Sequence, residues 1–312
     1  MAEIVSAPAK IILLGEHSVV YENPSLAVPL SALRAYAEIS SLPPDTGLKI
    51  TATDLDNREF EINKLLTDGQ QPLVTAAWLL LHHLDCPPPD AKIILHSDIP
   101  FASGMGSGAA ITTALMRALV KLLGKTLADD DLNKLVYEVE KIHHGTPSGV
   151  DNTVIVFEQP IYFVRNKPIE RLKIAKPFTL LVADTGISAS TKLAVADVRA
   201  LYEANRILIA GVFNSIGDLV QSGRRAIETG DHTGLGYAMS KNHDLLRKLT
   251  VSSPLLDKLV TIAHDAGALG AKLSGGGRGG NMIALVSEES VTRVRAALLD
   301  HGAVHVYETV VS

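Results

Sequence analysis

Three glycines fall within five residues in Pro100-Phe-Ala-Ser-Gly-Met-Gly-Ser-Gly-Ala-Ala110. An apolar run that reads as a strand precedes the segment, and an Ala- and Leu-rich run that reads as a helix follows it. Gly104, Gly106 and Gly108 carry no Cβ, so the main chain there can approach a ligand closely. A helix that starts at Ser107–Ala110 offers unpaired N–H groups and the positive end of its dipole. Phosphate is the group this chemistry suits. A plain turn before a helix is the alternative, but three glycines exceed what a turn needs. Gly104, Gly106 and Ala109 also fit G-x-G-x-x-A, which requires an acidic residue about 20 positions on, at the end of the next strand. Asp129, Asp130 and Asp131 stand near that distance, yet they open a helix and no strand precedes them. No G-x-x-x-x-G-K-S/T run occurs, which excludes a Walker A loop.

A second cluster, Lys272-Leu-Ser-Gly-Gly-Gly-Arg-Gly-Gly280, lies between two strand-like runs and opens no helix. Its five glycines are more than a hairpin connection demands. They suit a backbone that folds closely around something or passes close to another loop. Arg278 either offers charge to a phosphate or stays solvated. The third segment is Ser6-Ala-Pro-Ala-Lys-Ile-Ile-Leu-Leu-Gly-Glu-His-Ser-Val-Val-Tyr21. Lys10 precedes an apolar strand, and Glu16 and His17 follow it. Singly, such a Lys is usually a solvated edge guard and such a His a structural residue. Their company with two glycine loops is what points to a site.

Two carboxylates remain. Glu140 sits near the end of a helix, and Asp151 ends the turn Pro-Ser-Gly-Val-Asp. By position alone the first is a solvated helix side chain and the second a turn cap. Glu140-Lys-Ile-His143 matches half of a di-iron motif, but no second copy accompanies it. His82, His83 and His144 read as structural or surface residues.

These groups need a scaffold. At 312 residues, 46 % apolar and 20 % charged, the chain can build a sizeable core, in about two units. The net charge of −5 and the lack of a basic run argue against a nucleic-acid binder. The one cysteine, Cys86, suits a reducing cytoplasm. No apolar run approaches the ~18 residues of a membrane helix, and the N-terminus does not read as a signal peptide. Strands are predicted at Glu3–Ala7, Ile11–Leu14, Arg34–Ser40, Leu48–Thr53, Glu59–Ile62 and Ala91–His96. Helices follow at Pro72–Leu84, Ala109–Leu123 and Asp129–His143. Two β-runs come next, Thr153–Phe157 and Ile161–Val164, then a strand at Phe178–Ala183. Beyond residue 184 long helical patterns dominate, at Thr191–Phe213, Ile216–Glu228, Gly236–Leu249 and Pro254–Ala266. Strand Ala271–Leu273, strand Met282–Val286, helix Glu289–Leu299 and strand Val304–Val310 complete the chain. The irregular interleaving predicts α+β, with a soft boundary near residues 165–190.

Together the three segments resemble the GHMP small-molecule kinases, and among them the mevalonate kinases. The residues that narrow it are Gly15-Glu-His-Ser-Val-Val-Tyr21 with Asn23-Pro-Ser-Leu-Ala27, then His143–Asn152 and Asp184–Lys192. The resemblance spans residues 6 to 280. It implies a two-lobed GHMP kinase fold with a ferredoxin-like C-terminal domain, divided as 1–178 and 179–312. It also implies transfer of the γ-phosphoryl group of ATP to the 5-hydroxyl of mevalonate, with Mg²⁺, in the cytoplasm. Relatives are often dimers. Ser103, Gly104, Met105, Gly106, Ser107, Gly108 and Ala109 would hold the phosphates, with Glu140 and Ser107 on the metal. Asp151 would accept the alcohol proton and Lys10 would stabilise the attacking oxygen. Glu16, His17 and Thr191 would bind the acceptor, and Gly275, Gly276 and Gly277 would shape the cleft.

Four departures from the family pattern involve five positions. Gly108 replaces a Ser that usually ligates Mg²⁺, Glu22 replaces a Gly, Ala189 an Arg, and Arg278 and Asn281 interrupt the late glycine cluster. Kinases for phosphomevalonate, homoserine or sugars lack Gly15–Tyr21 in this form. A silent ATP-binding scaffold would not need Lys10, Glu140 and Asp151.

Overall fold

The computed structural model describes residues 3–54, 56–62, 71–100, 103–144 and 147–312, without the side chains of residues 143 and 144. Phe101 and Ala102 of the predicted phosphate loop, and Gly145 and Thr146 of the predicted turn, lie outside the described residues. The chain forms two compact units that no single cut in sequence separates. One comprises Met1–Ala9, Leu33–Pro100 and Gly106–Glu158; the other comprises Lys10–Ala32, Phe101–Met105 and Gln159–Ser312. Strands β1 (Glu3–Leu14) and β2 (Ser25–Ser41) contribute residues to both and pair with each other. The two predicted N-terminal strands are therefore one.

In the first unit β3 (Leu48–Ala52) pairs antiparallel with β4 (Arg58–Ile62), as the predicted hairpin requires. It also pairs parallel with β5 (Ala91–Ser97), and β5 pairs antiparallel with the C-terminal half of β2. Along β5, Ala91, Ile93 and Leu95 are buried and their neighbours half-buried, the alternation of a strand with one covered face. Four helices make the other layer: α1 (Pro72–His83), α2 (Ser107–Leu122), α3 (Asp129–His144) and α4 (Val150–Phe157). Helix α2 buries Ala110, Ala114, Leu115, Met116, Ala118 and Leu119 completely.

Helix α4 corrects the strand predicted at Thr153–Phe157. A short, continuous β-branched run does not separate a buried strand from a buried helix. Here Val154, Ile155 and Val156 pack against α2 and α3, and burial on several sides overrides their preference for strands.

In the second unit the first residues of β2 pair with β6 (Ile161–Phe163), and β6 pairs with β7 (Glu170–Arg171). The rest is built on β8 (Phe178–Asp184), β9 (Gly270–Ser274), β10 (Asn281–Val286) and β11 (His305–Val311). These form an antiparallel sheet in the order β11-β8-β10-β9. Between β8 and β9 come α5 (Thr191–Ala204), α6 (Arg206–Thr229), α7 (His232–Lys248) and α8 (Pro254–Asp265); α9 (Val291–Asp300) connects β10 to β11. Strand, helices, two strands, helix, strand is the ferredoxin-like arrangement. The helix predicted over Thr191–Phe213 is two helices, because the Asn205 side chain caps α6 by accepting from Leu208 N–H at 3.3 Å. No helix among the described residues is long and apolar enough to cross a membrane.

Candidate functional site

In the first unit, α2 begins directly after Gly106, which has φ 78° and ψ 30°. No side chain caps this helix start and no acidic residue stands in its first turn. The first-turn N–H groups of Ser107, Gly108 and Ala109 have no partner within the helix. Ser107 and Gly108 are half-buried, so a ligand oxygen can reach them. Left-handed Gly106 is what allows the chain to turn from the loop into the helix at this point.

Glu140, on α3, is 3 % exposed, which overturns its reading as a solvated side chain. A carboxylate is rarely that buried without a cationic or hydrogen-bonding purpose. Asp151 lies half-buried in the first turn of α4, behind Gly149 at φ 91°. The helix dipole favours a negative charge there. The amide of Asn152 donates to Asn133 Oδ1 on α3 at 2.6 Å, and Asn133 Nδ2 donates to Thr153 Oγ1 at 3.3 Å. Glu140 follows Asn133 by seven residues, about two helical turns, so both share the α3 face on which α4 packs.

The far end of α4 is pinned by groups that sequence reasoning missed. Arg117 donates to Val156 O at 2.8 Å and to Ser6 O at 3.1 Å, and it also pairs with Glu158. Arg34 reaches the other Glu158 oxygen at 3.1 Å. A cation at a helix C-terminus complements the free carbonyls. No local motif marks these contacts, because the five residues come from four separate segments.

In the second unit, Lys10 is 3 % exposed on β1 and is no edge guard. Its backbone N–H donates to Met105 O at 3.0 Å. Asn281 Nδ2 donates to Ser103 O at 2.6 Å, and a Cβ on Gly280 would stand 3.1 Å from that same oxygen. A Cβ on Gly275 would lie 3.7 Å from Gly104 O. Residues 103–105 thus run between Lys10 and the late glycine cluster. Close approach to another loop is what those glycines serve.

After β1 the chain turns sharply. Ser18 N–H donates to Glu16 O at 2.7 Å, and His17 between them has φ 61° and ψ −46°. This is a γ-turn of the rare positive-φ kind, a strained conformation that costs roughly 1–3 kcal/mol. His17 Nε2–H donates to Gly276 O at 3.1 Å. A Cβ on Gly276 would be 2.8 Å from Thr191 Oγ1, so the missing side chain lets Thr191 sit against the glycine loop. Burial pushes the pKa of His17 down to about 4, against the pull of its bond to Gly276, and the charges of Arg278 and Lys272 push the same way. The ring is neutral at pH 7. Its Nδ1, a buried acceptor, has no hydrogen-bond partner among the described residues. Tyr21 closes the motif by stacking on Phe213, with ring centroids 4.4 Å apart.

Glu16 is 1 % exposed and Lys272 is not exposed at all. Lys272 Nζ donates to Glu16 Oε1 and to Leu273 O. Burial pushes the Glu16 carboxyl up and the Lys272 ammonium down, each against the partner's charge. Glu16 Oε2 is left without a hydrogen-bond partner among the described residues. Lys272 carried no signal in the sequence beyond its place ahead of the glycines.

Two of the family departures share one backbone feature. Glu22 has φ 63° and Arg278 has φ 64°, both left-handed, which is why glycine suits these positions. Arg278 offsets the strain by pairing with Asp197 on α5 and donating to Thr250 O at 3.4 Å. His82 and His83 are exposed on α1, His82 stacked on Trp78, as their structural reading expects. The structure brings Gly106–Ala109, Glu140 and Asp151 into one unit. In the other it gathers Lys10, residues 103–105, Glu16, His17, Thr191 and Gly275–Gly277.

Comparison with known proteins gives three findings. Residues 72–159 match the GHMP kinases N terminal domain and residues 224–304 the GHMP kinases C terminal model. Among curated relatives, the mevalonate kinase of Pyrococcus furiosus is 34 % identical, covering 95 % of this chain and 94 % of its own. That of Pyrococcus abyssi is 35 % identical, covering 94 % and 92 %. Among solved structures, the L. major mevalonate kinase in complex with R-mevalonate superposes with a TM-score of 0.84 at 28 % identity, covering 100 % of this chain and 96 % of that one. The Methanococcus jannaschii mevalonate kinase gives the same TM-score at 27 % identity, covering 99 % and 98 %.

Proposed function

We propose a residue-level mechanism from the premise that the chain belongs to the GHMP kinases and, within them, to the mevalonate kinases. It uses ATP to phosphorylate mevalonate, and the 5-hydroxyl is the acceptor in this reading. The observation that carries it is the start of α2: a left-handed glycine, then first-turn N–H groups with no capping side chain. That cradle fits phosphate oxygens.

Phosphoryl transfer demands positioning and charge neutralisation more than covalent chemistry. Ser103, Gly104, Met105, Gly106, Ser107, Gly108 and Ala109 bind the β- and γ-phosphates, chiefly through main-chain donors. Gly104 has open space around its absent Cβ, which supports close approach. For Mg²⁺ the fit rests on Glu140, a buried carboxylate, with the Ser107 hydroxyl beside the phosphate cradle. Among the described residues no three His, Cys, Asp or Glu side chains gather into a cage. Mg²⁺ takes one or two carboxylates, phosphate oxygens and water. When bound, it neutralises charge on the phosphates.

Asp151 accepts the proton of the acceptor hydroxyl. Lys10 stabilises negative charge on the attacking oxygen. Glu16, His17 and Thr191 orient the acceptor, and Gly275, Gly276 and Gly277 shape the wall beside it. The orphaned His17 Nδ1 supports that role, as a buried acceptor awaiting a donor. In domain terms residues 1–178 form the N-terminal GHMP kinase domain and residues 179–312 the C-terminal one. A cytoplasmic homodimer completes the reading, and the free, half-buried Cys86 suits a reducing compartment.

ATP-dependent product analysis with mevalonate and phosphomevalonate side by side tests it. Mevalonate 5-phosphate from the first, and nothing from the second, is the expected result. Turnover of phosphomevalonate alone would overturn the choice of acceptor, and ATP binding without turnover of either would overturn catalysis.

A further inference from the structure

We propose that Asn242 and His243, adjacent on α7, are positioning residues for phosphoryl transfer, holding the two backbones that carry Glu16 and Lys272 and so the turn at His17. Both are buried, at 0 and 4 % exposure. Asn242 Oδ1 accepts from Gly15 N–H at 3.3 Å, and His243 Nδ1 accepts from Leu273 N–H at 3.3 Å. Gly15 immediately precedes Glu16, and Leu273 immediately follows Lys272. Successive residues of a helix point about 100° apart, so one dipeptide reaches two separate segments. The two segments it grips are the two that the buried Lys272–Glu16 pair joins.

The topology explains why His243 is needed. β9 is the edge strand of its sheet, paired only with β10 on that path. An outward N–H on an edge strand needs an acceptor when it is buried. Helix α7 packs on β9, and His243 supplies the acceptor. For Nδ1 to accept, the ring proton must sit on Nε2. Nε2 lies 3.1 Å from Asp257 Oδ1 on α8, and the carboxylate holds the proton there. Asp257 is itself held by the Ser252 hydroxyl and by Arg247 Nε at 3.2 Å. The charged groups that act on the ring are Asp257, Arg247 and Lys272, and burial keeps it neutral, with its pKa lowered to about 4. A protonated ring would face Leu273 donor to donor.

Slippage of β9 against the end of β1 would move Lys272 relative to Glu16 and reset a turn that is already strained. A displacement of about 1 Å at such a site can cost a hundredfold in rate.

Two conservative variants separate this role from plain structural support. Asn places Oδ1 near the position of His Nδ1, and Gln places Nε2 near that of His Nε2. His243→Asn therefore keeps an acceptor for Leu273 and drops the bond to Asp257; His243→Gln does the reverse. The expected result is kcat/KM for mevalonate within about threefold of wild type for His243→Asn, and a loss of about tenfold or more for His243→Gln. Their melting temperatures should agree within a few degrees. Activity retained in the Gln variant, or lost equally in both, would overturn the proposal. If a variant does not fold, the ring nitrogens of the wild-type protein decide by ¹⁵N NMR. A neutral Nε2–H tautomer titrating near 4 is expected, and an Nδ1–H tautomer overturns the idea. The proposal rests on Glu16 and His17 meeting the acceptor. Wild-type protein without mevalonate turnover would defeat that reading, whereas the tautomer measurement does not depend on activity.

Discussion

Lys272 donates to Glu16 Oε1 in an ion pair that solvent does not reach, with exposures of 0 and 1 %. The residues lie 256 apart in sequence. Desolvation of two charges roughly cancels their attraction, so such a pair adds little net stability. Its value is positional, since it ties the strand ahead of the glycine cluster to the turn ahead of His17.

Removing one partner is a different matter from removing both. Lys272→Met should destabilise by about 3–5 kcal/mol, because it leaves Glu16 buried and uncompensated. The double variant Glu16→Gln/Lys272→Met should recover most of that loss. Urea denaturation of the two variants checks it, and a double variant as unstable as the single one would contradict the account.

Stability should fall steeply as the solution is acidified from about pH 6.5 to 4. His17 and His243 both have pKa values lowered to about 4, so the unfolded chain binds protons that the folded chain refuses in this window. Their contribution is present above the unfolded pKa and lost as pH falls through the folded one. Each is worth up to about 3 kcal/mol. His243→Asn should remove about one proton from the pH slope of unfolding measured at pH 5. An unchanged slope would show that His243 titrates normally.

Asp151→Asn should lower kcat by about 10²–10⁴, the usual weight of a general base. Steady-state kinetics with mevalonate decide it. A fall of less than about fivefold would remove Asp151 from that role.

Lys10→Met should lower kcat more than it raises the KM for ATP, because its charge acts where negative charge develops. The same kinetics, run over a range of ATP concentrations, give the answer. Intact kcat with a higher KM would reassign Lys10 to ground-state binding.

The two glycine loops should respond differently to alanine. At Gly277, φ is 80° and a Cβ would lie 1.9 Å from Val251 O, so Gly277→Ala should not give a stable folded protein. Gly104 has φ 78° but nothing within 4 Å. Gly104→Ala should therefore cost only the left-handed strain, about 1–2 kcal/mol. Thermal melts of both variants check the contrast.

Most helices and strands were legible because apolar periodicity is local. Pro72 at the start of α1, the acidic opening of α3 and the hairpin of β3 and β4 all stand in the sequence. α4 was not legible, because its run Thr153–Phe157 favours a strand until α2 and α3 pack against it. The break at Asn205 was missed because apolar periodicity continues across it. At the site, Lys10, Glu16, His17, Glu140 and Asp151 stood out by motif. Arg34, Arg117, Asn242, His243, Asp257 and Lys272 did not. Asp257 acts on His243 from the next helix, and the others act through partners far along the chain, so spacing carries no trace of them.

The order of residues alone determined the family, the presence of glycine-rich loops and the types of side chain available for phosphoryl transfer. Chain contiguity is enough for those, since a loop's freedom and a helix's first turn depend on neighbours a few residues away. The folded state alone decided that Glu140 and Lys10 are buried, that His17 is strained and neutral, and that Glu16 is matched to Lys272. Burial and pairing depend on which distant segments meet, and desolvation, the term that governs each of these groups, exists only after they have met.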